Sequence, residues 1–179
     1  MNLQKATFAA GCFWCTQATF DKIKGVKSTR AGYTGGHVKN PTYEQVCSHT
    51  TGHAEALEVT FDPNEVSYQQ LLDAFWRSIN PTQKNQQFYD EGDQYRTVIF
   101  THNDEQKSIA EASRKALEDS GKFSKPIVTE IAPVTEFYPA EDYHQQYYKK
   151  SPMRYQMYHN ASGRDEFEKE IWGSEDKKK

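Results

Sequence analysis

The chain has 179 residues, with 22 Lys+Arg against 25 Asp+Glu and a formal net charge of −3. That balance offers no basic footprint for nucleic acid or an anionic membrane. The length predicts one domain, residues 1–179, able to bury a core without disulfide staples.

Hydrophobic residues make up 36% of the chain, but eleven Tyr, ten Phe and three Trp allow a core built from rings. Three cysteines argue against a disulfide scaffold, and the odd number leaves at least one thiol outside any intramolecular bridge. The opening residues carry no basic stretch followed by a long apolar one, so no secretory leader is expected. No run approaches the roughly eighteen apolar residues of a membrane span. These features predict a soluble, cytoplasmic protein.

In chain order, Lys5–Ala10 reads as a short strand, broken at Gly11. Cys12–Lys24 reads as a helix with Phe13, Ala18, Phe20 and Ile23 on its apolar side, stopped by Gly25. Val26–Tyr33 is a second strand, and Gly32, Gly35, Gly36 and Asn40-Pro41 mark the loop at and after its end. Ala54–Phe61 alternates: Glu55, Leu57, Val59 and Phe61 share one face, Ala54, Ala56, Glu58 and Thr60 the other. Ser67 and Gln70 form a capping-box pattern ahead of a helix. Its apolar side is Tyr68, Leu71, Leu72, Phe75, Trp76 and Ile79, and Asn80-Pro81 closes it.

Thr82–Gly92 is polar and irregular, and Tyr95–Thr101 is a strand. Asn103 and Gln106 repeat the cap logic before a helix that runs to about Ser120. Ile127–Ile131 is a last short strand. Beyond Pro133 the chain is Tyr-rich and weakly periodic, with a helix expected over Glu141–Lys149 and a frayed tail over 177–179. The first six elements follow the order βαββαβ, which predicts an α+β fold: a mostly antiparallel sheet with helices on one face.

The sharpest local feature is Gly11-Cys12-Phe13-Trp14-Cys15. Cys12 falls where a strand turns into a helix, where free N–H groups and the macrodipole favour a thiolate. Cys15 lies one helical turn on, with its Cα roughly 5 Å away and inside the disulfide window. Three readings fit a CxxC alone: buried structural thiols, half of a zinc site, or a redox pair. Cys47, His49 and His53 supply no second CxxC, so no metal is expected.

Glu55 is a second anomaly, because its strand face is otherwise apolar. Either it is solvated at the open end of the strand, or it is a carboxyl group in a low-dielectric pocket. In the second case desolvation raises its pKa and it can act as an acid near neutral pH. Spacing alone does not single out Tyr43, Tyr95 or Asp90.

The sequence resembles the methionine sulfoxide reductase A family over nearly its whole length. The resemblance rests on Gly11–Cys15, Gly32-Tyr33-Thr34-Gly35-Gly36, Asn40-Pro41-Thr42-Tyr43 and Thr51-Gly52-His53-Ala54-Glu55. It continues through Gly92-Asp93-Gln94-Tyr95-Arg96 and Tyr143-His144-Gln145-Gln146. It implies a ferredoxin-like α+β core with long coil segments. It also implies thiol-dependent reduction of the S epimer of methionine sulfoxide, free or in proteins, without a cofactor.

By that resemblance Cys12 is the nucleophile and Glu55 the acid that protonates the sulfoxide oxygen. Tyr43 and Tyr95 are hydroxyl donors to that oxygen, Asp90 a polar residue of the site, and Phe13 and Trp14 the pocket for the S-methyl group. The sulfenic acid left on Cys12 is resolved as a disulfide and recycled by thioredoxin. Many members carry resolving cysteines near the C-terminus, and this chain has none after Cys47. That favours Cys15 as the resolver, with Cys47 second. Gln17 departs from the acidic residue often found at its place in the family. A monomer is expected.

Overall fold

The computed structural model describes residues 2–176, and the predicted frayed tail lies outside them. At its centre is strand β1 (Gln4–Ala10), flanked by β3 (Ala54–Phe61) on one side and β6 (Thr97–Thr101) on the other, both antiparallel to it. Strand β2 (Val26–Thr34) pairs antiparallel with the far edge of β3. Two short strands complete the six-stranded sheet. Glu130–Pro133 (β7) runs parallel to β6, and Tyr138–Pro139 (β8) antiparallel to β2, giving the order β7-β6-β1-β3-β2-β8. This bears out the expected α+β class and mostly antiparallel sheet.

Helices α1 (Phe13–Phe20), α3 (Tyr68–Ser78) and α4 (Asp104–Asp119) pack on one face of the sheet. Rings fill the space beneath them: Phe8 of β1 lies 5.1 Å from Phe20 and 5.3 Å from Phe75, centroid to centroid. Offset ring stacks at that separation add to area burial. On the opposite face Ala9, Ala54, Ala56, Val98 and Phe100 are covered by Ala132, Val134 and Phe137 rather than by a helix. Small residues on β1 and β3 let that chain segment lie close. Both faces of β3 are therefore buried at its start, where Glu55 sits.

The capping box of α3 forms as read: Ser67 accepts from Gln70 N–H, and the Gln70 side chain accepts from Ser67 N–H. The same device at Thr42 and Gln45 starts a short helix, α2 (Tyr43–Cys47), within the segment expected to be loop. Helix α1 ends at Phe20, not Lys24. Asp21 accepts from the hydroxyls of Thr29 and Tyr148, and the chain leaves through tight turns to Gly25. The strand expected from Tyr95 starts at Thr97, after a 3₁₀ turn over Asp93–Tyr95.

The strand expected over Ile127–Ile131 lies at Glu130–Pro133, because Arg114 of α4 takes the carbonyls of Ile127 and Thr129. Within Thr82–Gly92 two tiny strands, β4 (Gln86–Gln87) and β5 (Asp90–Glu91), form a separate ribbon.

The last third differs most. The helix expected over Glu141–Lys149 is a 3₁₀ turn at Asp142–His144, a left-handed Gln146 and a single turn α5 (Tyr147–Lys150). Two further helices follow, α6 (Pro152–Ala161) and α7 (Arg164–Asp176). Among the described residues no helix is long and apolar enough to cross a membrane.

Candidate active site

The site begins where β1 hands over to α1. Gly11 has φ +81°, and a Cβ there would lie 2.6 Å from Cβ of Gln87. Gln87 is fully buried, with its amide locked to Asn80 N–H and to the carbonyls of Asn80 and Gln86. Only glycine fits both the backbone angle and the space. The turn at Gly11 places Cys12 as the N-cap of α1, and its carbonyl accepts from Cys15 and Thr16 N–H at 3.2 Å.

Glu55 is 2% exposed, which settles its two readings in favour of the buried one. Its backbone is paired opposite Tyr33 on β2, and its Oε2 accepts from the Phe13 backbone N–H at 3.1 Å. Burial holds its carboxyl well above the usual carboxylate range, and the nearby Cys12 adds to the rise, while the Phe13 hydrogen bond opposes it. A carboxyl with a raised pKa thus lies within electrostatic reach of the Cys12 thiol.

Cys12 does not ionise easily in the resting protein, contrary to the expectation for a helix N-terminus. Burial pushes its thiol up, and its donation to Cys15 pushes in the same direction. The first-turn N–H of Phe13, which would favour a thiolate, is taken by Glu55. Cys15 is held below the ordinary thiol value, first by the hydrogen bond from Cys12. The two thiols touch, as one turn of helix requires, and all three cysteines are free.

Tyr43 and Tyr95 lie within electrostatic reach of both Glu55 and Cys12. Burial raises both phenols, so each keeps its proton. The Tyr43 hydroxyl also donates to Cys47, at the end of α2. Asp90, on the small ribbon, accepts from the Tyr158 hydroxyl and lies 3.8 Å from the Arg164 guanidinium. Phe13 is buried against Tyr33 and His144, at 5.8 and 5.0 Å between centroids. Trp14 is half-buried, stacked on Tyr147 at 3.9 Å, and its indole N–H donates to Nδ1 of His144.

Sequence reasoning missed the side chains that close the site from the C-terminal third. Glu141 accepts from the Tyr33 hydroxyl and from Tyr43 N–H, holding α2 against β2. The Gln145 amide spans the backbone of Ala31. Gln17 donates to Thr29, whose own hydroxyl proton goes to Asp21, and accepts from Gln146 N–H; an ionised acid has no proton for the first of these bonds. Tyr155, Tyr158, His159 and Arg164 come from α6 and the start of α7, where no clear period marks a buried face. Only Tyr143–Gln146 carried a signal, in its motif.

The site thus brings together a buried thiol pair, a buried carboxyl with a raised pKa and two phenols that keep their protons. The family model described as peptide methionine sulfoxide reductase matches residues 4–176. A peptide methionine sulfoxide reductase MsrA of Listeria welshimeri is 56% identical over 171 residues, covering 96% of this chain and 97% of that protein. The crystal structure of reduced Mxr1 from Saccharomyces cerevisiae superposes with a TM-score of 0.79 at 32% identity, over 84% of this chain and 86% of the other. A structure of Mxr1 in complex with Trx2 shares the fold at 23% identity and TM-score 0.58, over 81% of this chain and 84% of that one. The chain belongs to the peptide methionine sulfoxide reductase family.

Proposed function

We propose that this enzyme reduces the S epimer of methionine sulfoxide, free or within proteins, by the following steps. The Glu55 carboxyl protonates the sulfoxide oxygen, assisted by the hydroxyls of Tyr43 and Tyr95. Cys12 attacks the sulfur, losing its own proton to the same oxygen, which departs as water. Water then adds to the Cys12 sulfur, methionine leaves, and the released proton returns to Glu55. Cys12 is left as sulfenic acid. Phe13 and Trp14 bound the space for the S-methyl group, and Asp90 is a polar wall.

Cys15 condenses with the sulfenic acid, expelling water and forming a disulfide, with Cys47 as the second choice. An external dithiol reduces that disulfide by exchange. Thioredoxin is the reductant of this reading, supported by the Trx2 complex of the yeast relative. The reading includes one catalytic domain over residues 1–179, a monomer, and a cytoplasmic setting that keeps free thiols reduced.

The observation that carries the proposal is the burial of Glu55, whose carboxyl is pushed well above the usual carboxylate range within electrostatic reach of Cys12. A sulfoxide oxygen is a poor leaving group until protonated, and a carboxyl supplies that proton only in its neutral form. The test offers the two sulfoxide epimers separately to the purified protein with dithiothreitol. The S epimer turns over in the expected result; absence of turnover overturns the proposal.

A further inference from the structure

We infer that His159, oriented by Asp165 and backed by Arg164, is the base that ionises Cys15 for disulfide formation. The inference rests on the reading of Cys15 as the resolving thiol. Nδ1 of His159 lies 3.5 Å from the Cys15 sulfur, and Nε2 lies 2.9 Å from Oδ1 of Asp165. A carboxylate only accepts, so Nε2 carries the ring proton. In the neutral ring Nδ1 is then the bare nitrogen, facing the thiol. The Tyr155 hydroxyl, 3.4 Å from Nδ1, also donates to Cys15.

Arg164 supplies the second, independent observation. It is 7% exposed, and its Nε, Nη1 and Nη2 are buried without a hydrogen-bond partner. Its near contacts are Asp90 at 3.8 Å and the Phe88 ring at 4.6 Å. A buried cation so poorly satisfied is costly unless an anion forms near it. Its charge favours the thiolate on both Cys15 and Cys12. Ionised Cys15 gives this cation a second anion beside Asp90.

A cavity of about 500 Å³ opens on this side of Cys15, lined by His159, Arg164 and Asp165. Lys22, Arg77 and Glu168 stand farther along the same cavity. Cys12 and Glu55 do not line it, so the Cys15 sulfur has a face of its own.

The step balances as follows. Nδ1 takes the proton of Cys15, and the thiolate attacks the sulfur of the Cys12 sulfenic acid. The S–S bond forms, the S–O bond breaks, and hydroxide leaves as water with the proton from the imidazolium. When an external dithiol later reduces the disulfide, Cys15 departs as a thiolate and regains its proton.

The test quenches a single turnover of N-acetylmethionine sulfoxide by the full chain, with mass spectrometry assigning the disulfide and alkylated thiols. His159→Gln is expected to slow disulfide formation by about 100-fold, the low end for loss of a general base. It slows alkylation of Cys15 in the reduced protein as well. Asp165→Asn moves both rates in the same direction and alters their pH profile, and Asp165→Glu restores them. Should His159→Gln not fold, Asp165→Asn is read by the same criteria. Wild-type rates of disulfide formation and Cys15 alkylation in either variant overturn the inference while leaving Cys15 as resolver. A Cys12–Cys47 disulfide forming at the wild-type rate in Cys15→Ser removes Cys15 as resolver, and the role of His159 with it.

Discussion

The backbone N–H of Phe13 donates to Oε2 of Glu55 at 3.1 Å, tying the first turn of α1 to β3. The bond fixes where the carboxyl stands relative to Cys12, one residue before Phe13. Only Oε2 makes this contact, and the carboxyl interacts electrostatically with Cys12, Tyr43 and Tyr95.

Glu55→Gln keeps an oxygen to accept from Phe13 but has no acidic proton to give. We expect turnover at neutral pH to fall by about 10²- to 10⁴-fold, the usual range for general-acid catalysis. Steady-state rates with the S epimer check this. An unchanged rate would take Glu55 out of the mechanism.

The same variant is expected to gain stability relative to the wild type as pH rises. Below the unfolded value of about 4.3 both states hold the Glu55 proton and folding bears no penalty. Above it, the unfolded state has released a proton that the folded state, with its raised value, still holds. Stability then drops by about 1.4 kcal/mol per pH unit until the folded value is passed. Glu55→Gln removes that slope. Chemical denaturation at about pH 5 and pH 7 should show its stability relative to wild type rising between the two.

Gly11→Ala places a Cβ 2.6 Å from Cβ of Gln87 at φ +81°. The left-handed conformation alone costs an L-residue about 1–2 kcal/mol, and the contact with Gln87 adds to it. Gln87→Ala in the same chain does not remove that contact, since its own Cβ remains. The double variant should therefore recover little of the loss in urea midpoint. A full recovery would show that the turn, not the contact, adapts.

Cys12→Ser is expected to abolish turnover. Cys15→Ser should release one methionine per enzyme and then recycle slowly with thioredoxin, while Cys47→Ser recycles normally. Product counting in single-turnover and steady-state assays checks both. Recycling that survives loss of Cys15 and stops with loss of Cys47 would reverse the assignment.

Much of the fold is legible from local chemistry. The alternation at Ala54–Phe61 and the box at Ser67–Gln70 are each decided by residues within a few positions. Glu55 announces itself because it breaks its own pattern. The Thr42–Gln45 box is equally local, yet it lies in the segment expected to be loop, and sequence reasoning missed α2. The C-terminal third is different. Its conformation is set by distant partners: Ala31 for Gln145, Tyr33 for Glu141, and Asp90 for Tyr158. No period survives in a segment shaped that way. Cys12 shows the other limit: burial by distant parts of the chain raises its thiol first, and the adjacent N–H that would favour a thiolate goes to Glu55, 43 positions on.

Between Val134 and Gln146 the backbone is moored at discrete points. Val134 N–H binds the Thr101 carbonyl, the Glu136 carbonyl accepts from Thr34, and Ala140 N–H reaches Ala31. Glu141, Gln145 and Gln146 add their own ties to β2, α2 and α1. This wall behaves like a rope strung over pegs. Its course is decided by the peg positions and by the length of line between them. Side chains between pegs can change in kind and leave the wall where it is. Adding or removing one residue would slacken or overdraw the rope, and the segment should therefore tolerate substitution far better than a change of length.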